Sequence, residues 1–213
     1  FYFVLQSTIT DLYQGELKDF VKCKECGHES ARYDKYLDIP LVIRGFGATK
    51  AVESLEEALR NFVETETLDG DNRYECGHCN KKTDALKGLS FCSFPYILTL
   101  QLKRFDFDYT TMRRIKLNDR VTFPVSLDLT PFVDAADPRA QEALNRMGGQ
   151  AAAAAPAAAA ADPDPAAADP AAAAATEASV PASATCGPYI YDLFSIMIQS
   201  GSALGGHYYA YIK

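Results

Sequence analysis

An excess of positive charge is what this sequence lacks most plainly. Its 213 residues hold 21 Lys and Arg against 28 Asp and Glu, giving a net charge of −7 and a pI near 5.0. Phosphate backbones are gripped by surplus cations, so this balance argues against nucleic acid as the main partner. Long apolar runs are missing too. Stretches such as FPYILTLQL fall far short of the roughly 20 residues that cross a bilayer, and no membrane partner is expected. No secretory leader is recognisable, and the first residue is Phe1 rather than Met, from which we expect a piece of a longer polypeptide. Core-forming material is plentiful: 48 % of residues are hydrophobic and 11 % aromatic, which excludes a wholly disordered chain.

Cysteine is scarce outside two tight pairs, Cys23/Cys26 and Cys76/Cys79; only Cys92 and Cys186 stand apart. Two C-x-x-C knuckles without a secretory leader read as metal ligands in a reducing compartment rather than as a disulfide framework. Each knuckle presents two thiolates from one side, and the second closes a tetrahedron. Soft thiolates in a closed four-coordinate shell favour a structural Zn²⁺ with no position left for substrate. His28 and His78 each sit two residues beyond a Cys and are alternative ligands, which we set outside the ligand set. The 49 residues between the knuckles exceed a compact finger, so the reading is a zinc ribbon with a large insertion.

Composition changes sharply along the chain. From Gln150 to about Ser179 the sequence is mostly alanine broken by Pro156, Pro163, Pro165 and Pro170. Repeated prolines interrupt helix, and no bulky apolar face exists to dock one. A disordered low-complexity insertion is expected over 134–188, with a short helix at Arg139–Met147. That segment holds seven acidic and two basic residues, a net of −5, which leaves −2 for the remainder. The rest reads mainly as strands: Tyr36–Ile43, an alternating run Tyr96–Phe107, then Asp192–Gln199 and Tyr208–Lys213 joined by a Gly-rich turn at Ser200–Gly206. One helix is clear, with Ser54 as N-cap, Glu57 completing a capping box, and Leu55, Ala58, Leu59 and Phe62 on one face.

The chemical signal lies in SGSALGGHYYAYIK. The Gly205-Gly206 pair permits close backbone approach and unusual dihedrals, and His207 follows at the mouth of an aromatic strand. A neutral imidazole there can accept a thiol proton and return it to a leaving amine. Taken alone, His207 reads as readily as a histidine at a strand edge.

Four blocks in this order resemble the ubiquitin-specific proteases, thiol proteases that cleave ubiquitin from its conjugates: LYQGELKDFVKCKECG, RYECGHCNKKTDALKG, FPYILTLQLKRFDFDYTTMRRIKLNDRVTFP and LFSIMIQSGSALGGHYYAYIK. The resemblance implies an α+β fold, the fingers and palm of a papain-like cysteine protease core with an antiparallel zinc ribbon, its thumb absent. It divides the chain into a lead-in from palm to fingers (1–20), fingers with the ribbon (21–90), palm (91–133), the insertion (134–188) and palm again (189–213). His207 matches the catalytic histidine. Phe105, Gly205, Gly206 and Tyr208 match positions that bind the tail of ubiquitin. Tyr109–Arg114 and Ser200–Gly206 match two mobile loops beside that channel. Ubiquitin and ubiquitinated proteins are the implied partners, together with the missing N-terminal thumb of the same polypeptide.

The departures are as informative. Nothing matches the family's nucleophilic cysteine segment or its third triad residue. Cys92, between Phe91 and Phe94-Pro95-Tyr96, reads as a buried structural thiol, and Cys186 borders the insertion; neither lies beside a group that would lower its pKa. The chain alone is therefore expected to be inactive. Three functions compete: part of a deubiquitinase that hydrolyses the bond after ubiquitin's C-terminal glycine, a non-catalytic ubiquitin-binding module of the same build, and a nucleic-acid-binding zinc ribbon. The last is weakest, because Arg113, Arg114, Lys116 and Arg120 read as a solvated rim. The expected location is the cytoplasm, with the nucleus as a second.

Overall fold

The computed structural model describes residues 2–45, 48, 50–151 and 189–213. Its elements are, in chain order, α1 (Tyr2–Tyr13), β1 (Gly15–Cys23), β2 (Glu29–Tyr36), β3 (Ile39–Val42), α2 (Leu55–Val63), β4 (Glu66–Leu68), β5 (Tyr74–Cys76), β6 (Lys81–Thr83), β7 (Ala85–Ser93), β8 (Leu100–Lys103), β9 (Phe105–Asp108), β10 (Arg113–Lys116), β11 (Ser126–Asp128), α3 (Pro138–Ala151), β12 (Ile190–Asp192), β13 (Ser195–Ser202) and β14 (Gly205–Ile212). Cys186 and most of the low-complexity tract lie outside the described residues. Among the described residues no helix is long and apolar enough to cross a membrane.

A four-stranded antiparallel sheet ordered β2-β1-β7-β4 runs through the first half of the chain. β1 is central, pairing Lys18 with Tyr33 on one side and Cys23 with Ala85 on the other. The remaining strands pair two by two, antiparallel except for the parallel β3–β8 pair. The result is a mixed helix-and-sheet fold. Its core gathers Ile39, Leu41, Ile43, Leu59, Phe91, Leu129 and Tyr189. Rings knit it together: Phe91 stacks on Phe62 at 5.8 Å and packs on Phe94 at 4.7 Å. Aromatic pairs of this kind add about 0.5–1.5 kcal/mol beyond area burial.

The strand expected over Tyr36–Ile43 divides. Tyr36 ends the ladder to β1, and after two residues Ile39 begins a new pairing with Leu100. The Tyr96–Phe107 run keeps its alternation of burial, with Leu98, Leu100 and Leu102 half-buried and Thr99, Gln101 and Lys103 exposed, but the strand begins only at Leu100, not at Tyr96. It breaks at Arg104, whose guanidinium donates to the carbonyls of Leu117 and Asp119. α2 starts as expected: Ser54 Oγ accepts from the Glu57 N–H at 3.2 Å, while the Glu57 carboxylate reaches the Glu53 N–H rather than that of Ser54. α1, with no acidic residue in its first turn and no basic residue in its last, left no helix signal in the sequence.

Folded structure runs on past Asp134. The helix expected over Arg139–Met147 is α3, and Asp137 caps it, its Oδ1 accepting from the Arg139 N–H at 2.9 Å. The other carboxylate oxygen takes the Tyr33 hydroxyl at 3.0 Å and the Lys18 ammonium at 3.1 Å. Lys18 also pairs with Glu29 at 2.6 Å, and Arg139 lies over the Tyr33 ring at 3.7 Å. These contacts fasten the mouth of the insertion to β1 and β2. Burial works to raise the Asp137 carboxyl, but the Arg139 N–H, Lys18 and Tyr33 together hold it below the ordinary 3.8. Burial likewise works to lower Lys18, and Glu29 and Asp137 override it, leaving the ammonium above the ordinary 10.5.

Removing one partner of a buried pair strands the other charge. Asp137→Ala is therefore expected to destabilise the docked α3 start by about 3 kcal/mol, read as faster amide exchange over residues 134–144 in the complete polypeptide. The depressed carboxyl contributes stability fully above its unfolded value and loses it as pH falls through the lower folded value. The docking should thus hold at neutral pH and weaken only below about 4. Equal exchange in D137A and wild type at pH 7 would contradict this.

Candidate functional site

The four knuckle cysteines converge. β1 delivers Cys23 and β5 delivers Cys76, and each strand then turns tightly through its second cysteine. The Gly27 N–H returns to the Cys23 carbonyl at 3.1 Å, and the Asn80 N–H to that of Cys76 at 2.8 Å. The residue after each second cysteine is left-handed, Gly27 at φ 71° and Asn80 at φ 53°, a conformation that Gly and Asn tolerate best. The two knuckles are thus the same turn used twice. The Lys24 N–H donates to the Asp84 carbonyl and ties them together.

All four Sγ atoms lie within 4.8 Å of one another. Cys23 and Cys79 are 3.9 Å apart and Cys26 and Cys76 3.8 Å. A tetrahedron of sulfurs about 2.3 Å from a central ion has edges of about 3.8 Å, so the donor set fits a closed metal site; the separations are also far too long for a disulfide. The thiols alone are in conflict. The Thr83 hydroxyl, 3.2 Å from Cys23, holds that thiol down at about 6, while the neighbouring Cys26 sulfur pushes Cys79 up to about 12. A divalent cation among them removes the conflict, because every thiolate then faces positive charge. His28 and His78 stack on each other at 5.6 Å, outside this group of four. Thr83, buried beside Cys23, carried no signal in the sequence.

His207 lies on β14, exposed, directly across from Ser200 on β13. The Gly-rich turn expected over Ser200–Gly206 is shorter than that. Gly201 pairs with Gly206 and Ser202 with Gly205, so both strands run almost to the tip. Gly205 and Gly206 are therefore strand residues rather than a loop, and the left-handed glycine of this hairpin is Gly201, at φ 119°. Gly206 is there for close approach: a Cβ on it would collide with the Ser200 carbonyl and the Gln199 side chain. Alternation puts His207, Tyr209 and Tyr211 on one face of β14 and Tyr208 on the other.

Phe105 begins β9 and pairs with Lys116 at the end of β10. Lys116 is not the solvated rim residue expected. Arg113, Arg114 and Arg120 are exposed, but Lys116 is half-buried and its ammonium donates to the carbonyl of Gln199 at 2.7 Å and that of Gly201 at 3.2 Å. One side chain thus joins the hairpin of Phe105 to the hairpin of His207 and Tyr208. The intervening Tyr109–Arg114 turn is closed by Asp108, which accepts from the Thr110 N–H and the Thr111 hydroxyl. Cys92 is fully buried, and burial pushes its thiol up to about 12, a poor setting for a nucleophile.

A mixed helix-and-sheet fold therefore carries four converging cysteines that could hold a metal and a histidine hairpin strapped to a second hairpin. The family model for ubiquitin carboxyl-terminal hydrolase matches residues 5–213, and the chain belongs to that family. It is 50 % identical over 212 residues to ubiquitin carboxyl-terminal hydrolase 47 of Xenopus tropicalis and 49 % identical over 213 residues to that of Homo sapiens, in each case across 96 % of this chain. Among solved structures it is similar to the SAGA DUB module of Ubp8, Sgf11, Sus1 and Sgf73 bound to monoubiquitin, with 25 % identity and a TM-score of 0.63 over 96 % of this chain. The chain spans 16 % of the length of those two relatives and 34 % of the solved chain.

Proposed function

We propose that this chain is the fingers-and-palm portion of a papain-like thiol protease that hydrolyses the bond after the C-terminal glycine of ubiquitin. The observation that carries the reading is the exposed His207 on a hairpin strapped through Lys116 to the hairpin of Phe105. In this reading His207 takes the proton of a cysteine thiol supplied elsewhere in the polypeptide. The thiolate attacks the glycine carbonyl carbon, the C–N bond breaks, and His207 returns the proton to the leaving amine. Water, deprotonated by the same imidazole, then hydrolyses the thioester. Phe105 and Tyr208 flank the ubiquitin tail, and the strand glycines Gly205 and Gly206 leave room beside it.

Cys23, Cys26, Cys76 and Cys79 would hold Zn²⁺, chosen by its liking for four thiolates. It supplies cross-linking only, since four protein ligands leave no position for substrate. Two further points belong to the same proposal: the partners are ubiquitin and ubiquitinated proteins, and the location is the cytoplasm or nucleus, where thiols of this kind stay reduced.

The test uses ubiquitin carrying a C-terminal electrophile, reacted with the complete polypeptide. One equivalent of covalent adduct is expected, mapped by peptide mass spectrometry to a cysteine outside residues 1–213. An adduct on Cys92 or Cys186 would overturn the assignment of the nucleophile. Tight ubiquitin binding with no adduct would make the protein a binding module instead.

A further inference from the structure

The strand facing His207 is held from a side that the proposed chemistry does not use. Among the described residues β13 pairs only with β14, which leaves its other edge without a strand. Successive carbonyls along a strand point to opposite edges. That of Ser200 faces β14, where a Cβ on Gly206 would strike it. The carbonyls of Gln199 and Gly201 therefore face the free edge, and there the Lys116 ammonium takes both. They flank Ser200, the residue directly opposite His207. The Gln199 side chain adds a bond to the Ser202 carbonyl at 3.3 Å, so three backbone carbonyls near the tip, those of Gln199, Gly201 and Ser202, are tied.

The base from which Lys116 reaches is itself fixed. Leu117, the next residue, is buried, and its N–H donates to the Arg104 carbonyl at 2.7 Å. Arg104 returns two bonds to the carbonyls of Leu117 and Asp119, and Arg44 grips the Asp119 carboxylate with both oxygens at 2.7 Å. A charge-assisted bond to each of two edge carbonyls is stronger than the neutral bond that water would make there. An ammonium with three donors suits the task, because one group can serve two acceptors.

We propose that Lys116 is a positioning residue for the reaction. It locks the tilt of β13 so that His207, across from Ser200, presents its imidazole at one distance and angle. This rests on His207 being the general base. Misplacing a reacting group by an ångström costs up to about 10²-fold in rate.

The complete polypeptide is assayed with a ubiquitin substrate releasing a fluorescent amine. Lys116→Met should lower kcat by about tenfold to 10²-fold, with KM held within about twofold because the ubiquitin-facing surface is otherwise unchanged. Lys116→Arg keeps a fork able to reach both carbonyls and should restore kcat to within about threefold. Rates are normalised to the folded fraction, and where K116M does not fold, Lys116→Gln carries the test with an intermediate kcat. A folded K116M or K116Q with kcat of wild type, while His207→Ala is inactive, overturns the proposal for Lys116 alone. An active His207→Ala enzyme overturns the reading of the site on which it rests.

Discussion

Turnover of a ubiquitin-amide substrate by the complete polypeptide is expected to fall by about 10²- to 10⁴-fold on His207→Ala, the range a positioned general base contributes. KM and the affinity for ubiquitin itself should stay within about twofold, since a proton acceptor acts on the transition state and not on the bulk of the bound protein. The structure gives two reasons to expect so clean a division. His207 is exposed on β14 and holds no core contact, so its loss leaves the hairpin intact. The ladder from Ser195↔Ile212 to Ser202↔Gly205 fixes β14 through its backbone rather than through that ring. Steady-state kinetics and ubiquitin titration on the same preparation decide the matter. Retained kcat would remove His207 from the chemistry, and a large rise in KM with unchanged kcat would make it a binding residue.

How much of this was legible in the sequence depends on the range of the interactions. The knuckles were, because C-x-x-C followed by Gly27 or Asn80 states a turn within five residues. The α2 start was, because a cap is a contact over three residues. The alternation of Leu98, Leu100 and Leu102 was, because a half-buried strand writes its burial into every second position. Lys116 was not: the carbonyl it serves is 83 residues away, and nothing local separates it from Arg113 and Arg114. Lys18 and Asp137 were not, for the same reason; a buried ion pair leaves no period in the sequence. The Gly205-Gly206 pair was legible as a site of close approach but not as a strand, since glycine marks both tight turns and tight strand contacts.

Stripping the metal, by a strong chelator or by Cys76→Ser, is expected to release one Zn²⁺ per chain and to abolish amide protection over residues 21–35 and 64–83, while β3–β8 and β13–β14 keep theirs. Hydrophobic burial cannot hold that tip by itself. Among the described residues none between Val63 and Phe91, and none between Leu17 and Tyr36, belongs to the core cluster or packs against it. What remains at the knuckles is the end of the β2-β1-β7-β4 sheet, the β5–β6 hairpin of three residues a strand, and exposed ion pairs such as Lys81–Glu25 at 2.6 Å. A two-stranded hairpin is marginal in water, and surface pairs contribute about 0–1 kcal/mol. Zinc bound by four cysteines supplies an apparent 10–16 kcal/mol, roughly, to the folding of small domains, and bound in this tip it would be the largest single contribution. Cys76 is the sharper substitution because it is fully buried, whereas Cys26 is exposed and water can take its place more readily. Metal content by atomic emission and exchange by mass spectrometry are read together. A preparation free of metal whose residues 21–35 and 64–83 exchange as slowly as before would show that the thiols converge without a metal to hold.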